Sequence, residues 1–166
     1  TFHHMMDERT QEEPRAWDLE GATHRAGFKI EELVEFVRAA SPSEEDFGQA
    51  LSQLHQALDK AADKVAKKTP AQQDLIGQVD ALIDTLYFTY GSFVLMGVDP
   101  ERIFDIVHHA NMGKIFPDGK AHFDPVTHKI LKPDDWEEKY APEPAIKKEL
   151  QRQLKAYERH KERNRQ

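Results

Sequence analysis

Three glutamates stand among five apolar residues in IEELVEFV, residues 30–37, a segment that otherwise reads as a buried helix. Ionised carboxylates in such a place cost several kcal/mol each unless something compensates them. A second anomaly lies in LIDTLYFTYGSFVLM, residues 82–96, apolar almost all round yet holding Asp84, with Asp80 one turn earlier. Residues three and four apart share a helix face, so Glu35 follows Glu31 and Glu32 by one turn, and Asp80 and Asp84 lie in line. Water, lysine or arginine would serve any one of these acids. For all five the cations are too few: only Lys29 and Arg38 lie near the glutamates on the first helix, and 75–96 has none. A hard divalent cation is the natural compensation, since Mg²⁺ and Mn²⁺ take oxygen ligands and Mg²⁺ keeps places for water and substrate phosphates.

The elements that must position these acids are helices, because no stretch alternates as a half-buried strand does. A first helix spans roughly 17–40 and stops before Ser41-Pro42. The second has Ser43 as N-cap and Asp46 three residues on, and sets Phe47, Leu51, Leu54, Leu58, Ala61 and Val65 in a narrow stripe suited to a bundle seam. Thr69 as N-cap, Pro70 at the first helical position and Gln72 as capping partner announce a third helix, carrying 75–96 and stopping at Gly97. Asp99-Pro100 repeats the start signal for a fourth helix over about 100–112. Pro, Gly and Asp mark 116–136, FPDGKAHFDPVTHKILKPDDW, as turns. Ile146, Leu150, Leu154 and Tyr157 recur at helical spacing, as the apolar face of a docking helix whose other side is basic. The expected architecture is all-α and a single domain over 1–166, with a core at 17–113 and a C-terminal loop and docking helix at 114–166.

Composition narrows the class of protein. At 39% hydrophobic and 32% charged, 166 residues suit a modest core wrapped by amphipathic helices. The absence of cysteine excludes a disulfide, a thiolate zinc site and a cysteine nucleophile, and a reducing cytoplasm is the expected location. No apolar run nears about 18 residues and no signal-peptide pattern opens the chain, so no membrane is expected. The net charge of −7 hides an asymmetry: residues 147–166 carry eight Lys or Arg against three Glu, a net of +5, which leaves −12 for 1–146. A body so acidic repels nucleic-acid phosphates, and nucleic acid is not an expected partner.

EELVE at 31–35 with DALIDTLYFTYG at 80–91 resembles the EExxE and DxxxD signature of the all-α nucleoside triphosphate pyrophosphohydrolases. That superfamily holds MazG, the dimeric dUTPases and phosphoribosyl-ATP pyrophosphohydrolase. VHHANMGK at 107–114 resembles the VHxxNMxK segment of the MazG-like, phosphoribosyl-ATP-pyrophosphohydrolase-like branch. DGK followed by KILKPDDW resembles its C-terminal loop, and Arg25 lies six residues before the glutamate pair as in that branch. Gly77 and Ala81 depart from relatives that have a further acid on this helix, which leaves open whether Asp80 or a water is the fourth ligand. The resemblance implies a four-helix-bundle-type MazG-like fold and homodimers or dimers of dimers. It implies hydrolysis of a nucleoside triphosphate between the α and β phosphates, as in clearing dUTP or modified nucleotides from the pool. About two or three Mg²⁺, or Mn²⁺, held by Glu32, Glu35, Asp80 and Asp84 would serve such chemistry. Glu31, turned about 100° around the helix from Glu32, is the expected base for the attacking water, with an exchange of roles between the two left open.

An acidic metal cluster cannot by itself retain a tetra-anion, so cations and amides must come from the fourth helix and the loop after it. Lys114 is the expected phosphate contact and Asn111, on the same face, a sugar or base contact. Arg25, Lys120 and Lys132 are further candidates, Lys120 and Lys132 reading more readily as solvated charges. Tyr87, with Tyr90 and Phe93, could stack on a base or belong to the core or a subunit seam. His108 and His109 diverge as helix neighbours and form no ligand pair, and Trp136 either caps the site or pins the loop. The His3-His4 pair reads either as a tag remnant or as native, and proteins of the family that the chain resembles carry a Phe-His pair near the start that approaches the nucleotide. Two other readings remain: a phosphoribosyl-ATP pyrophosphohydrolase of histidine biosynthesis, which resembles a shorter chain, and a non-catalytic helical module that binds an ion or a basic partner.

Overall fold

A computed structural model describes residues 2–6, 11–68, 74–126 and 129–165. Among them all regular structure is α-helical, as expected, apart from an isolated antiparallel bridge between Phe123 and Ile130. The chain divides into two compact units, one of residues 13–82 and one of residues 1–12 with 83–166.

In the 13–82 unit, α2 is Leu19–Ala40 and α3 is Glu44–Ala66, and α4, Leu75–Met96, begins here. The Asp18 carboxylate accepts the Gly21 N–H at 2.7 Å, which starts α2 at Leu19 rather than Trp17. Trp17 instead lies outside the helix, its ring covering the bare Gly21 and its backbone N–H and C=O both held by the Gln78 side-chain amide at 2.9 and 3.0 Å. Ser41 closes α2 by donating its N–H to the Arg38 carbonyl, and Ser43 caps α3 by accepting the Asp46 N–H, as the sequence predicts. Arg38 bridges the turn, paired with Glu44 and lying 4.9 Å from the Phe47 ring centroid. The Thr69, Pro70 and Gln72 start signal falls outside the described residues.

α3 packs on α2 and half-buries Phe47, Leu51 and Leu54, while Leu58 and Val65 stay exposed. Here the structure corrects the buried-helix expectation. Phe28, Ile30, Leu33 and Phe36 of α2 are all exposed, because they occupy more of its circumference than α3 covers. No residue of α2, α3 or α4 is buried.

The other unit holds α1, Phe2–Met6, the rest of α4, and α5, α6 and α7, which are Glu101–Met112, Trp136–Tyr140 and Glu143–Arg163. α4 stops where Gly97 takes a φ of 69°, its N–H bonded to the Val94 carbonyl and the Val98 N–H to that of Phe93. This is the left-handed C-terminal cap that glycine adopts without a Cβ penalty. Pro100 takes the N-cap place of α5, so the helix starts at Glu101, whose N–H bonds Asp99 Oδ1 at 3.1 Å. Among the described residues, the buried hydrophobic ones are Met6, Ala110 and Trp136. Trp136 therefore opens a short helix that the turn-rich sequence does not announce. Its indole N–H reaches the Ala110 carbonyl at 2.9 Å.

α7 docks on α5, but on a different face from the one its apolar periodicity predicts. Leu150, Leu154 and Tyr157 are exposed, and Glu149 is the buried residue, 8% accessible. Arg152 grips both Glu149 carboxylate oxygens at 2.6 and 2.7 Å, and Gln153 donates to Glu149 while pairing with the N–H and C=O of Asp99. A hydrogen-bonded staple has displaced the apolar stripe as the docking face.

Arg152 first, then Gln153, hold the Glu149 carboxyl at about 2, below its ordinary 4.5. The native state favours the ionised form, so this stabilisation is present above pH 4.5 and disappears as pH falls through about 2. Glu149→Gln should lower the melting temperature at neutral pH, and the gap to the parent protein should close between pH 4.5 and 2. Thermal melts at stepped pH decide this, and a gap that is constant across the window counts against the staple.

Candidate active site

Glu31, Glu32 and Glu35 lie on α2 and Asp80 on α4 within the 13–82 unit, whereas Asp84 and Tyr87 follow on α4 within the other. All six side chains are exposed. Glu32 precedes Glu35 by one turn, and Asp80 precedes Asp84 by one turn, so each helix presents its own pair. Among the described residues, no three of His, Asp and Glu gather into a cage for one cation in the chain alone.

The cations of α2 are engaged elsewhere. Lys29 donates to the Arg25 carbonyl at 3.0 Å, Arg25 sits 5.5 Å from the Phe28 ring centroid, and Arg38 is held by Glu44. Among the described residues, no hydrogen bond or ion pair engages the side chains of Glu32, Glu35, Asp80 or Asp84. Four unneutralised carboxylates, with no sulfur and no imidazole, are a donor set that fits a hard divalent cation.

Asn111 and Lys114 meet at the end of α5. Lys114 Nζ donates to Asn111 Oδ1 at 2.8 Å, and both residues are half-buried. An ammonium can only donate, so the amide oxygen must face it and the amide N–H groups face away. The pair therefore offers donors and positive charge, which suits an anionic ligand.

The loop after α5 folds on itself. Gly119, at φ 77°, lets the Phe116 N–H reach the Lys120 carbonyl at 2.9 Å, and the Phe116 and His122 rings stack at 4.2 Å. The His122 ring, then the Lys120 N–H, hold the Asp118 carboxyl below its ordinary range. Lys120 thus shapes the loop through its backbone. Lys132 lies 3.8 Å from the Trp136 ring centroid and 3.1 Å from Glu137 Oε1, so it covers one face of the tryptophan that pins α5. His108 stacks on Phe104 at 6.4 Å, and the Phe2 and His3 rings meet edge-on at 5.4 Å within α1.

Sequence reasoning missed Tyr140. Its ring lies 5.4 Å from that of His109 and covers Gly113 so closely that an added Cβ would overlap it. The available signal was Gly113 itself, a residue without a side chain between the two polar residues of VHHANMGK.

No curated protein matches this chain. A solved structure does: a candidate NTP pyrophosphohydrolase from Exiguobacterium sp. 255-15 is 39% identical, superimposes with a TM-score of 0.85, and is matched over 94% of this chain and 93% of its own. Residues 1–111 match the phosphoribosyl-ATP pyrophosphohydrolase family. That match takes in both acid pairs and most of the VHHANMGK segment, and with it the chain belongs to the phosphoribosyl-ATP pyrophosphohydrolase family, of all-α, MazG-like fold.

Proposed function

We propose that the protein is a cytoplasmic, Mg²⁺-dependent nucleoside triphosphate pyrophosphohydrolase that converts a (d)NTP and water to the (d)NMP and pyrophosphate. Its substrates in this reading are dUTP or modified nucleotides cleared from the pool. The observation that carries it is the set of four exposed carboxylates left without a cationic partner while Lys29, Arg25 and Arg38 are turned to other tasks. The family match and the related structure support the same chemistry.

Glu32, Glu35, Asp80 and Asp84 would hold Mg²⁺ or Mn²⁺, which when bound neutralises the charge that develops on the phosphate oxygens. Glu31 holds the attacking water and accepts its proton on a carboxylate oxygen. Lys114 and the Asn111 amide N–H groups bind phosphate oxygens, and Arg25, Lys120, Lys132 and Tyr87 remain candidates for further substrate contacts. A panel of dUTP, dCTP, dTTP, modified purines and phosphoribosyl-ATP, read as pyrophosphate released with Mg²⁺, tests the reading. Release with none of them, in either Mg²⁺ or Mn²⁺, refutes it. Turnover of phosphoribosyl-ATP alone would favour the histidine-biosynthetic activity, the reading that the family match keeps open.

The functional form in this proposal is a homodimer or a dimer of dimers. A helix that is apolar all round is normally buried. In the single chain, Ile76, Tyr87 and Leu95 of α4 are 82%, 77% and 90% exposed. Light scattering at micromolar concentration is expected to give two or four times the chain mass of 19.2 kDa, and a monomer would overturn this part. Among the described residues no helix is long and apolar enough to cross a membrane.

A further inference from the structure

The last turn of α5 is held from one side by α6. Trp136, itself 6% exposed, donates its indole N–H to the carbonyl of Ala110, the residue just before Asn111. Tyr140, one turn along α6, lies against Gly113, the residue just before Lys114. The carbonyls of His109 and Asn111 are taken by the N–H groups of Gly113 and Lys114, so this turn closes tightly enough for Lys114 Nζ to reach Asn111 Oδ1. Lys132 lies over Trp136 and pairs with Glu137, on α6 itself.

A lysine ammonium on a four-carbon stem is a mobile point charge, and holding it in one place strengthens its contact with an anion by removing rotamer freedom beforehand. Here the amide oxygen of Asn111 supplies the hold, and the two α6 aromatics fix the backbone on either side of it. The geometry points to α6 as a positioning clamp: Trp136 and Tyr140 are positioning residues that act through the Asn111–Lys114 pair, which presents a fixed ammonium and amide N–H groups to the phosphate oxygens of the substrate. This rests on the pyrophosphohydrolase reading for the identity of the anion. Nothing in the VHHANMGK pattern assigns a role to α6.

Gly113 is where the clamp is most exposed to a single change. A methyl group there collides with the Tyr140 ring. Gly113→Ala should therefore displace the clamp, and Tyr140→Ala in the same chain should relieve the collision without restoring the hold.

The test is a pair of double-mutant cycles on the full chain, Trp136→Phe with Lys114→Ala and Asn111→Ala with Lys114→Ala. Two quantities are read: KM and kcat for a nucleotide that the parent protein hydrolyses, and the Kd for inorganic pyrophosphate with Mg²⁺ by calorimetry. Trp136→Phe keeps an aromatic ring and removes the N–H. Each single change should raise KM and the pyrophosphate Kd by about 10-fold, with kcat changed less. In the Lys114→Ala background, Trp136→Phe and Asn111→Ala should each add less than they do in the parent, because the ammonium they position is gone and only the contact of the Asn111 amide N–H groups remains to be lost. A loss from Trp136→Phe that is equally large with and without Lys114 refutes the clamp and gives Trp136 a merely structural role. If Trp136→Phe does not fold by circular dichroism, the Asn111 cycle decides whether the pair acts as a unit, and Tyr140→Phe, which retains the ring over Gly113, must then match the parent in pyrophosphate Kd or the clamp fails. Turnover by the parent protein with uncoupled cycles refutes the clamp and leaves the proposed function standing. Coupled pyrophosphate binding without any pyrophosphate release refutes the function and leaves the clamp standing, and a parent protein that does neither overturns both.

Discussion

Glu32→Ala and Asp84→Ala are expected to lose pyrophosphate release by about 10²–10³-fold or more, the size of effect seen when one preorganised electrostatic contact to a transition state is removed. Both proteins should stay folded. Each carboxylate is exposed and, among the described residues, takes part in no hydrogen bond or ion pair, so truncation removes no such bond and belongs with surface changes worth about ±0.5 kcal/mol. The same absence of partners predicts a second signature. An ion that binds only the native state raises stability by about 2.7 kcal/mol at 100 times its Kd, so Mg²⁺ should raise the melting temperature of the parent protein. Neither alanine variant should show that rise. Glu31→Gln should separate the two adjacent glutamates: a base lost at Glu31 removes turnover and spares the Mg²⁺-induced rise, while Glu32→Gln removes both. The reverse outcome exchanges their roles, and full activity in folded Glu32→Ala and Asp84→Ala proteins takes both residues out of the site.

What the sequence discloses and what it conceals divide along the range of the interactions concerned. Ser43 with Asp46, and Gly97 after Met96, act within one turn of chain, and the helix ends they announce are where the structure has them. The acid pairs are legible for the same reason, since helical spacing fixes which side chains share a face. Spacing does not fix what stands opposite that face. The apolar residues of α2 and α4 thus read as interior from composition, yet are exposed in the single chain, where α3 covers part of α2 and no residue of α4 is buried. α6 and the α7 docking face were concealed because their anchors are distant: Trp136 bonds a carbonyl 26 residues away, and Gln153 bonds Asp99 across 54. Glu149 is the sharpest case. Nothing in ELQRQL shows that its glutamate is the buried residue, because burial there depends on Arg152 and Gln153 both turning to satisfy it.

Trp136→Ala should cost about 3–5 kcal/mol, the range for truncating a buried large side chain. That is a large fraction of the roughly 5–15 kcal/mol that holds a typical domain together. The expectation is steep because, among the described residues, the buried hydrophobic ones are few: Met6 and Ala110 besides Trp136. Its loss also leaves the Ala110 carbonyl, 4% exposed as a residue, without the indole N–H at 2.9 Å. Trp136→Phe isolates that second part, keeping most of the ring and removing the donor, and should cost about 1 kcal/mol for the hydrogen bond with a small addition for lost volume. Lys132→Ala should weaken the same place by about 0.5–1 kcal/mol, through the cation on the ring face. Urea titrations of the three variants at one protein concentration, followed by circular dichroism, order them directly. The expected sequence is alanine at 136 far below phenylalanine at 136, with Lys132→Ala nearest the parent. If alanine and phenylalanine at 136 prove equal, the indole is held by its N–H alone and the tryptophan is not the centre of a packed core. A Trp136→Ala protein as stable as the parent would mean that α6 is not needed to hold the end of α5, and would remove the mechanical basis on which Asn111 and Lys114 are fixed.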